Sequence, residues 1–155
     1  MTNVESGRRA VPDVVRRSIS LWVCAVTAGV AETVLQVLRI AVGQLPADGV
    51  GAQLALRAVV YTAVFLLVLR LRRGEPGVRV AVAALVGGIG TLSMVGEPIV
   101  AMIQGAGFAE AWLDGSGAWA WTFAALRAVH LCAVAGALAL LFSPGANEFF
   151  RRNGS

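Results

Sequence analysis

Several polar and ionisable residues interrupt stretches of sequence that are otherwise apolar. Their side chains can pair as ions, donate hydrogen bonds or carry protons: Glu32, Gln36, Arg39, Arg57, Tyr61, Glu97, Arg127 and His130. A charge at the centre of a membrane-spanning helix costs roughly 2.5 to 3.5 kcal/mol on insertion scales. If the apolar stretches are membrane helices, these side chains must therefore face protein or water.

The spacing of these residues is helical within each apolar stretch. Intervals of three or four residues relate the members of three groups: Glu32, Gln36 and Arg39; Arg57 and Tyr61; Arg127 and His130. Residues three or four apart lie on the same face of a helix. Each group is therefore predicted to form one polar stripe, and Glu97 belongs to a similar stripe in the third stretch.

The stripes reach similar depths when residues are counted inward from the outer end of each stretch, the end away from the arginine-rich segments. Arg39 and Arg57 come near this outer boundary, Glu97 and Arg127 lie a turn or two deeper, and Glu32 is near the middle. We predict that Glu32 pairs with Arg127, and Glu97 with Arg57 or Arg39. Arg39 could instead extend to the surface without a partner.

Proline follows the glutamate of the third stretch directly. Pro98 removes one backbone hydrogen bond and leaves the carbonyl of Met94 without its usual donor, so it is predicted to bend the helix beside Glu97. A bend at this place could line a cavity, although proline also occurs in membrane helices without such a role.

Two interpretations of the polar set stay open. In the first, the residues form a buried ion-pair network that fixes the helix register, with His130 as a hydrogen-bonding member. In the second, the cluster binds a solute, an anion or protons, and Glu32 or His130 carries the proton.

The sequence gives little support to an enzyme. It contains no cluster of metal-ligating residues, no nucleophile with a base at a recognisable spacing and no phosphate-binding loop. Cys24 and Cys132 have no CxxC spacing, and their different depths make a disulfide between them a poor expectation. His130 is the only histidine, which excludes a haem held by two histidines of one copy. We predict no cofactor and no metal site.

The elements that must position these residues are membrane helices. Hydrophobic residues make up 57% of the chain, more than a soluble domain of 155 residues can bury. Charged residues leave four long apolar stretches, at about 19–42, 54–71, 80–103 and 118–142. At about 1.5 Å per residue, each stretch matches a hydrocarbon core of about 30 Å. The predicted fold is all-α, a single four-transmembrane-helix bundle.

The arginines predict the orientation of the bundle. Ten of the thirteen basic residues flank the stretches on one side: Arg8, Arg9, Arg16, Arg17, Arg70, Arg72, Arg73, Arg79, Arg151 and Arg152. Positive charge is retained on the cytoplasmic side, so both termini are predicted to lie there, in a bacterial cytoplasmic membrane. The same arginines are expected to attract anionic lipid head groups, whereas nucleic acid is a poor expectation.

Two segments outside the spans are predicted to follow the membrane surface. The C-terminal tail 143–155 has a possible cap at Ser143 and an aromatic pair beside two arginines, which is typical of an interfacial helix; a disordered tail is the alternative. Residues 108–113 read as a short outer helix, or as a lid over an external pocket. Tryptophans at both ends, including Trp22, are expected to anchor the interfaces.

Two resemblances follow from these residues. The Ala31-Glu32 step in the first span resembles that of the small multidrug-resistance transporters, but the resemblance ends at those two residues and no activity is transferred. The use of arginine for every basic residue and the ending Asn147-Glu148-Phe149-Phe150-Arg151 resemble uncharacterised four-helix membrane proteins of high-GC actinobacteria, a resemblance that implies no chemistry. We expect a small accessory or scaffold subunit that self-associates or joins other membrane subunits. The alternative is a proton-coupled or anion-binding small-solute carrier.

Overall fold

The chain folds into helices throughout the residues that the computed structural model describes, which are 11–44, 50–113 and 117–153. The long helices are α1 (Asp13–Ala41), α2 (Val50–Arg70), α3, which runs through Pro76–Val82, Ala83–Gly90 and Thr91–Ile103, and α5 (Gly117–Leu141). The shorter elements are a 3-10 turn (Leu71–Arg73), α4 (Phe108–Trp112) and α6 (Pro144–Asn153).

In the described part of the chain, four helices are long and apolar enough to cross a membrane. The qualifying segments are Asp13–Ala41, Leu54–Arg73, Gly77–Gly96 and Gly117–Leu141. The second and fourth coincide with the predicted stretches to within about two residues, whereas the first begins about six residues earlier than predicted and the third begins and ends earlier. The prediction of an all-helical fold with four candidate membrane spans is therefore confirmed.

The third span departs from regular α geometry in its middle. Ala83–Gly90 is π-helical, and the hydroxyl of Thr91 donates a hydrogen bond to the carbonyl of Val86, five residues earlier, at 3.1 Å. Pro98 lies inside the following α-helical stretch and is buried. The observed irregularity therefore lies two turns before the proline, and a hinge at Pro98 stays a prediction.

Helices α1 and α5 form the most extensive helix pair of the bundle. The hydroxyl of Ser18 donates to the carbonyl of Ala137 at 2.9 Å. Small residues permit this approach, since a Cβ atom added to Gly136 would lie only 3.0 Å from Leu21. Close backbone approach at small residues is the usual means of packing membrane helices.

The apolar core occupies the end of the bundle near the described termini, which we call the basic end because Arg17, Arg72 and Arg151 lie there. Every long helix contributes to the core: Val15, Ile19, Trp22, Ala25, Val64, Val68, Leu71, Val78, Val82, Val86, Ala133, Val134, Ala137, Leu141, Ala146 and Phe150. Trp22 is fully buried among them. The expectation that Trp22 anchors the membrane interface is therefore wrong, because its ring fills the space between the helices.

The C-terminal tail forms helix α6, which packs across the basic end. Phe150 is only 2% exposed, and the guanidinium of Arg79 lies 5.4 Å from the centre of its ring and 4.3 Å from that of Phe142. The approach is tight at Gly74, which has φ +74°, and a Cβ atom there would lie 2.7 Å from Asn153. Of the aromatic pair that suggested membrane anchoring, Phe150 is therefore buried in the protein and Phe149 packs partly against the core. The interfacial location of the tail stays a prediction.

Large apolar side chains cover the surface of the spans that faces away from the bundle interior, where a membrane protein contacts lipid. On α2 they include Leu56, Val59, Phe65 and Leu66, all about half exposed or more. Cys24 and Cys132 are free thiols on the same kind of surface. An apolar helix most often uses a cysteine as a buried packing residue, but both of these thiols are exposed.

Candidate functional site

The half of the bundle away from the basic end contains a network of polar side chains centred on α1. The described members are contributed by three helices: Glu32, Thr33 and Gln36 on α1, Arg57 and Tyr61 on α2, and Arg127 and His130 on α5. We call these seven residues the polar network. Helix α1 is their common partner, because each hydrogen bond between helices within the network has one end on α1.

The bonds between α1 and α2 form a connected chain. The hydroxyl of Tyr61 donates to the carbonyl of Gly29 at 2.9 Å and lies 3.1 Å from the hydroxyl of Thr33. The Nη1 atom of Arg57 donates to the hydroxyl of Thr33 at 3.0 Å and to Oε1 of Gln36 at 3.1 Å. The predicted stripe of Arg57 and Tyr61 therefore faces α1, as its helical spacing requires.

Glycine 29 makes this contact between helices possible. A Cβ atom at this position would lie 3.1 Å from the hydroxyl oxygen of Tyr61, closer than an ordinary van der Waals contact. The absence of a side chain lets the tyrosine reach the main-chain carbonyl. Thr33 also donates to that carbonyl, at 2.9 Å, so Gly29 accepts hydrogen bonds from both helices.

An ion pair joins α1 to α5. The Nε atom of Arg127 lies 3.3 Å from Oε1 of Glu32, and both side chains are 15% exposed. This is the pairing that the depth comparison predicts. In a bundle surrounded by lipid, each partner reduces the cost of placing the other charge away from water.

His130 lies next to this ion pair on α5, three residues beyond Arg127. Its Nδ1 atom is 2.9 Å from the carbonyl oxygen of Ala25. Because a carbonyl can only accept, the hydrogen of the ring is on Nδ1 in this contact. The other ring nitrogen, Nε2, is buried and has no hydrogen-bond partner among the described residues.

Arg39 turns toward α5 instead of the membrane surface. It is only 9% exposed, and its guanidinium carbon lies 5.5 Å from the centre of the Phe123 ring. An arginine over an aromatic face is attracted by the negative face of the ring. The alternative that Arg39 extends to the surface is therefore wrong, because the side chain is buried against α5.

Glu97 lies within the outer stretch of α3, but its side chain is outside the described residues. Its pairing with Arg57 or Arg39 therefore stays a prediction, as does the cavity that a bend at Pro98 could line beside it. The outer stretch Thr91–Ile103 makes its main contacts with the π-helical stretch and with α4. The short helix predicted at 108–113 is present as α4, with the rings of Phe108 and Trp112 stacked at 5.8 Å.

Sequence reasoning missed two groups of this network, the hydroxyl of Thr33 and the carbonyl of Gly29, and it also missed the hydroxyl of Ser18 toward the basic end. Serine and threonine are common in apolar helices, so their types carry little signal. A signal does exist for Thr33, since it lies four residues after Gly29 and next to Glu32. A helix that places a glycine one turn before a hydroxyl offers a partner helix both an accessible carbonyl and a side-chain acceptor.

The fold and the network define a class, a helical bundle with four candidate membrane spans in which Glu32, Arg57 and Arg127 are ion-paired or hydrogen-bonded between helices. Comparison with family models, with curated proteins and with solved structures gives no match. Within the part of the chain that the structure describes, no three histidine, cysteine, aspartate or glutamate residues come together as metal ligands. The polar network itself is thus the candidate site.

Proposed function

We propose that the protein is a small accessory or scaffold subunit of the bacterial cytoplasmic membrane, with both termini on the cytoplasmic side. One observation carries the proposal: every member of the polar network is hydrogen-bonded to a group on a neighbouring helix. Groups used in this way hold α1, α2 and α5 in register. A fixed bundle with an apolar outer surface suits a protein that presents helices to a second copy or to larger membrane subunits.

The orientation is tested by cysteine labelling. With Cys24 and Cys132 replaced by serine, a single cysteine is introduced at Arg72 or at Gln104. An impermeant maleimide should label Gln104→Cys in intact spheroplasts and Arg72→Cys only after the membrane is opened. The reverse pattern would overturn the proposed topology.

The accessory role is tested by the native assembly. The tagged protein is crosslinked in membranes, purified in a mild detergent and measured by native mass spectrometry. We expect either a homo-oligomer or a membrane partner in stoichiometric amount, seen also without crosslinking. A monomer with no stoichiometric partner before or after crosslinking would contradict the role.

A second candidate is a proton-coupled carrier that uses Glu32, Glu97, Arg127 and His130. The observation in its favour is the buried Nε2 of His130, since a polar atom left without a partner usually has another use. Its test is proton flux into proteoliposomes containing a pH-sensitive dye. The carrier requires flux in the native protein and its loss in His130→Asn, which retains a donor toward the carbonyl of Ala25. Native protein that gives no flux above empty vesicles would exclude proton transport.

A further inference from the structure

Arg57 is a cation inside a membrane span whose described hydrogen-bond partners are both neutral. Its two bonds go to the hydroxyl of Thr33 and to the amide oxygen of Gln36, and both use the same terminal nitrogen, Nη1. A guanidinium has five N–H donors in a planar fork. Among the described residues, no carboxylate lies within ion-pair distance of the Arg57 guanidinium, and none accepts a hydrogen bond from its Nε or Nη2.

The charges within the spans leave one arginine without a glutamate of its own. The outer-half set contains three arginines, Arg39, Arg57 and Arg127, and two glutamates, Glu32 and Glu97. Glu32 pairs with Arg127. Whichever arginine Glu97 approaches, one of the three positive charges has no glutamate of its own within the spans. The neutral partners of Arg57 identify it as that charge.

The position of Arg57 suits a ligand from the membrane surface. It lies three residues inside the candidate span Leu54–Arg73, which places its Cα about 5 Å from the start of the span. Its side chain is partly buried, so the guanidinium is held by the protein without being sealed inside it. The bonds to Thr33 and Gln36 hold Nη1 in place and so fix the plane of the guanidinium. The N–H groups on Nε and Nη2 are therefore already oriented before a ligand binds.

We infer that Arg57, held by Thr33 and Gln36, forms a binding site for an oxyanion between the outer halves of α1 and α2. A planar guanidinium fork matches the paired oxygens of a phosphate or carboxylate group. The phosphate of a lipid head group and a phosphate in solution have this chemistry in common. The inference goes beyond the accessory role and does not rest on it, because a site of this kind supplies the missing charge whatever the protein assembles with.

The test uses the full-length protein, stripped of lipid in dodecyl maltoside. Sodium phosphate and dioctanoyl phosphatidylglycerol are titrated separately, and binding is followed by the shift of the unfolding temperature. Gln36→Glu is the decisive variant, since it places a carboxylate where an oxygen already lies 3.1 Å from Arg57 and neutralises the site from within. Arg57→Gln removes the charge, and Arg70→Gln, an exposed arginine at the basic end of the same helix, is the matched control.

We expect the native protein and Arg70→Gln to bind the ligand alike, and Gln36→Glu and Arg57→Gln to bind it at least about tenfold more weakly. A response to phosphatidylglycerol alone identifies a lipid head group as the ligand, and a response to phosphate identifies a soluble anion. No response to either, or a response that Gln36→Glu leaves unchanged, overturns the inference. If Arg57→Gln does not fold, Gln36→Glu decides alone, because it gains an ion pair. The accessory role is tested by subunit composition and the oxyanion site by ligand binding, so either hypothesis can fail without the other.

Discussion

Nε of Arg127 lies 3.3 Å from Oε1 of Glu32, and this ion pair ties α5 to α1 at a point where both side chains are 15% exposed. The α1 residues on either side of Glu32 bind α2: the carbonyl of Gly29 accepts from Tyr61, and Thr33 and Gln36 accept from Arg57. Helix α1 therefore has one polar side divided between two partners. Its register against each of them is set by hydrogen bonds in addition to apolar packing.

Replacing Glu32 by Gln should destabilise the bundle in detergent. The substitution keeps the shape of the side chain but leaves the guanidinium of Arg127 without its counter-charge, which costs about 1 to 3 kcal/mol at a partly buried site. The measurement is the unfolding temperature by fluorescence or circular dichroism. Asp13→Asn is the control, because Asp13 pairs with Arg16 at the exposed start of α1 and should change stability little.

The double variant Glu32→Gln with Arg127→Met separates an ion pair from two independent residues. Removing both charges should restore part of the stability that Glu32→Gln loses, since no uncompensated charge is left in the span. A Glu32→Gln protein as stable as the native one, or additive losses in the double variant, would contradict the role of this pair.

Substituting Tyr61 by Phe should weaken the contact between α1 and α2 by about 1 kcal/mol, because the carbonyl of Gly29 loses an interhelical donor. Gly29→Ala should act on the same contact by crowding the hydroxyl of Tyr61. Gly51→Ala is its control, since a Cβ atom there meets nothing within 4 Å. If Gly29→Ala and Gly51→Ala are equally stable, the close approach does not matter.

Replacing His130 tests how much its hydrogen bond to α1 contributes to the free energy of unfolding. His130→Leu loses the donor to the carbonyl of Ala25 and should lower the unfolding free energy by about 1 to 2 kcal/mol. His130→Asn, whose amide can donate to the same carbonyl, should lose less. Equal stability of the two variants would mean that the hydrogen bond contributes nothing measurable.

Truncating Phe150 should release the C-terminal helix. The ring is 2% exposed and packs against the core at the basic end, so Phe150→Ala should lower the free energy of unfolding by about 3 kcal/mol. Faster tryptic cleavage at Arg151 and Arg152 is the expected measurement, with the more exposed neighbour Phe149→Ala as the control. Cleavage at the native rate in Phe150→Ala would show that α6 is held by other contacts.

Much of the fold and part of the candidate site could be predicted from the sequence. The four spans follow from apolar length, and the pairing of Glu32 with Arg127 follows from comparing their depths. The location of Trp22 could not be predicted, because an aromatic residue near the end of a span suits either the interface or the core. The π-helical stretch Ala83–Gly90 could not be predicted either. The sequence pointed to Pro98 as the place where the third span would depart from a regular helix.

The sequence by itself determined that the chain is helical, how many spans it has and which residues inside them could not face lipid. These are properties of single segments, since apolar length and helical period require no knowledge of neighbours. The tertiary structure alone decided that Thr33 and Gly29 join the polar network, that Arg57 meets neutral oxygens and that Phe150 packs into the core. Such outcomes depend on helix rotation and close approach, which arise only when several helices share one interior.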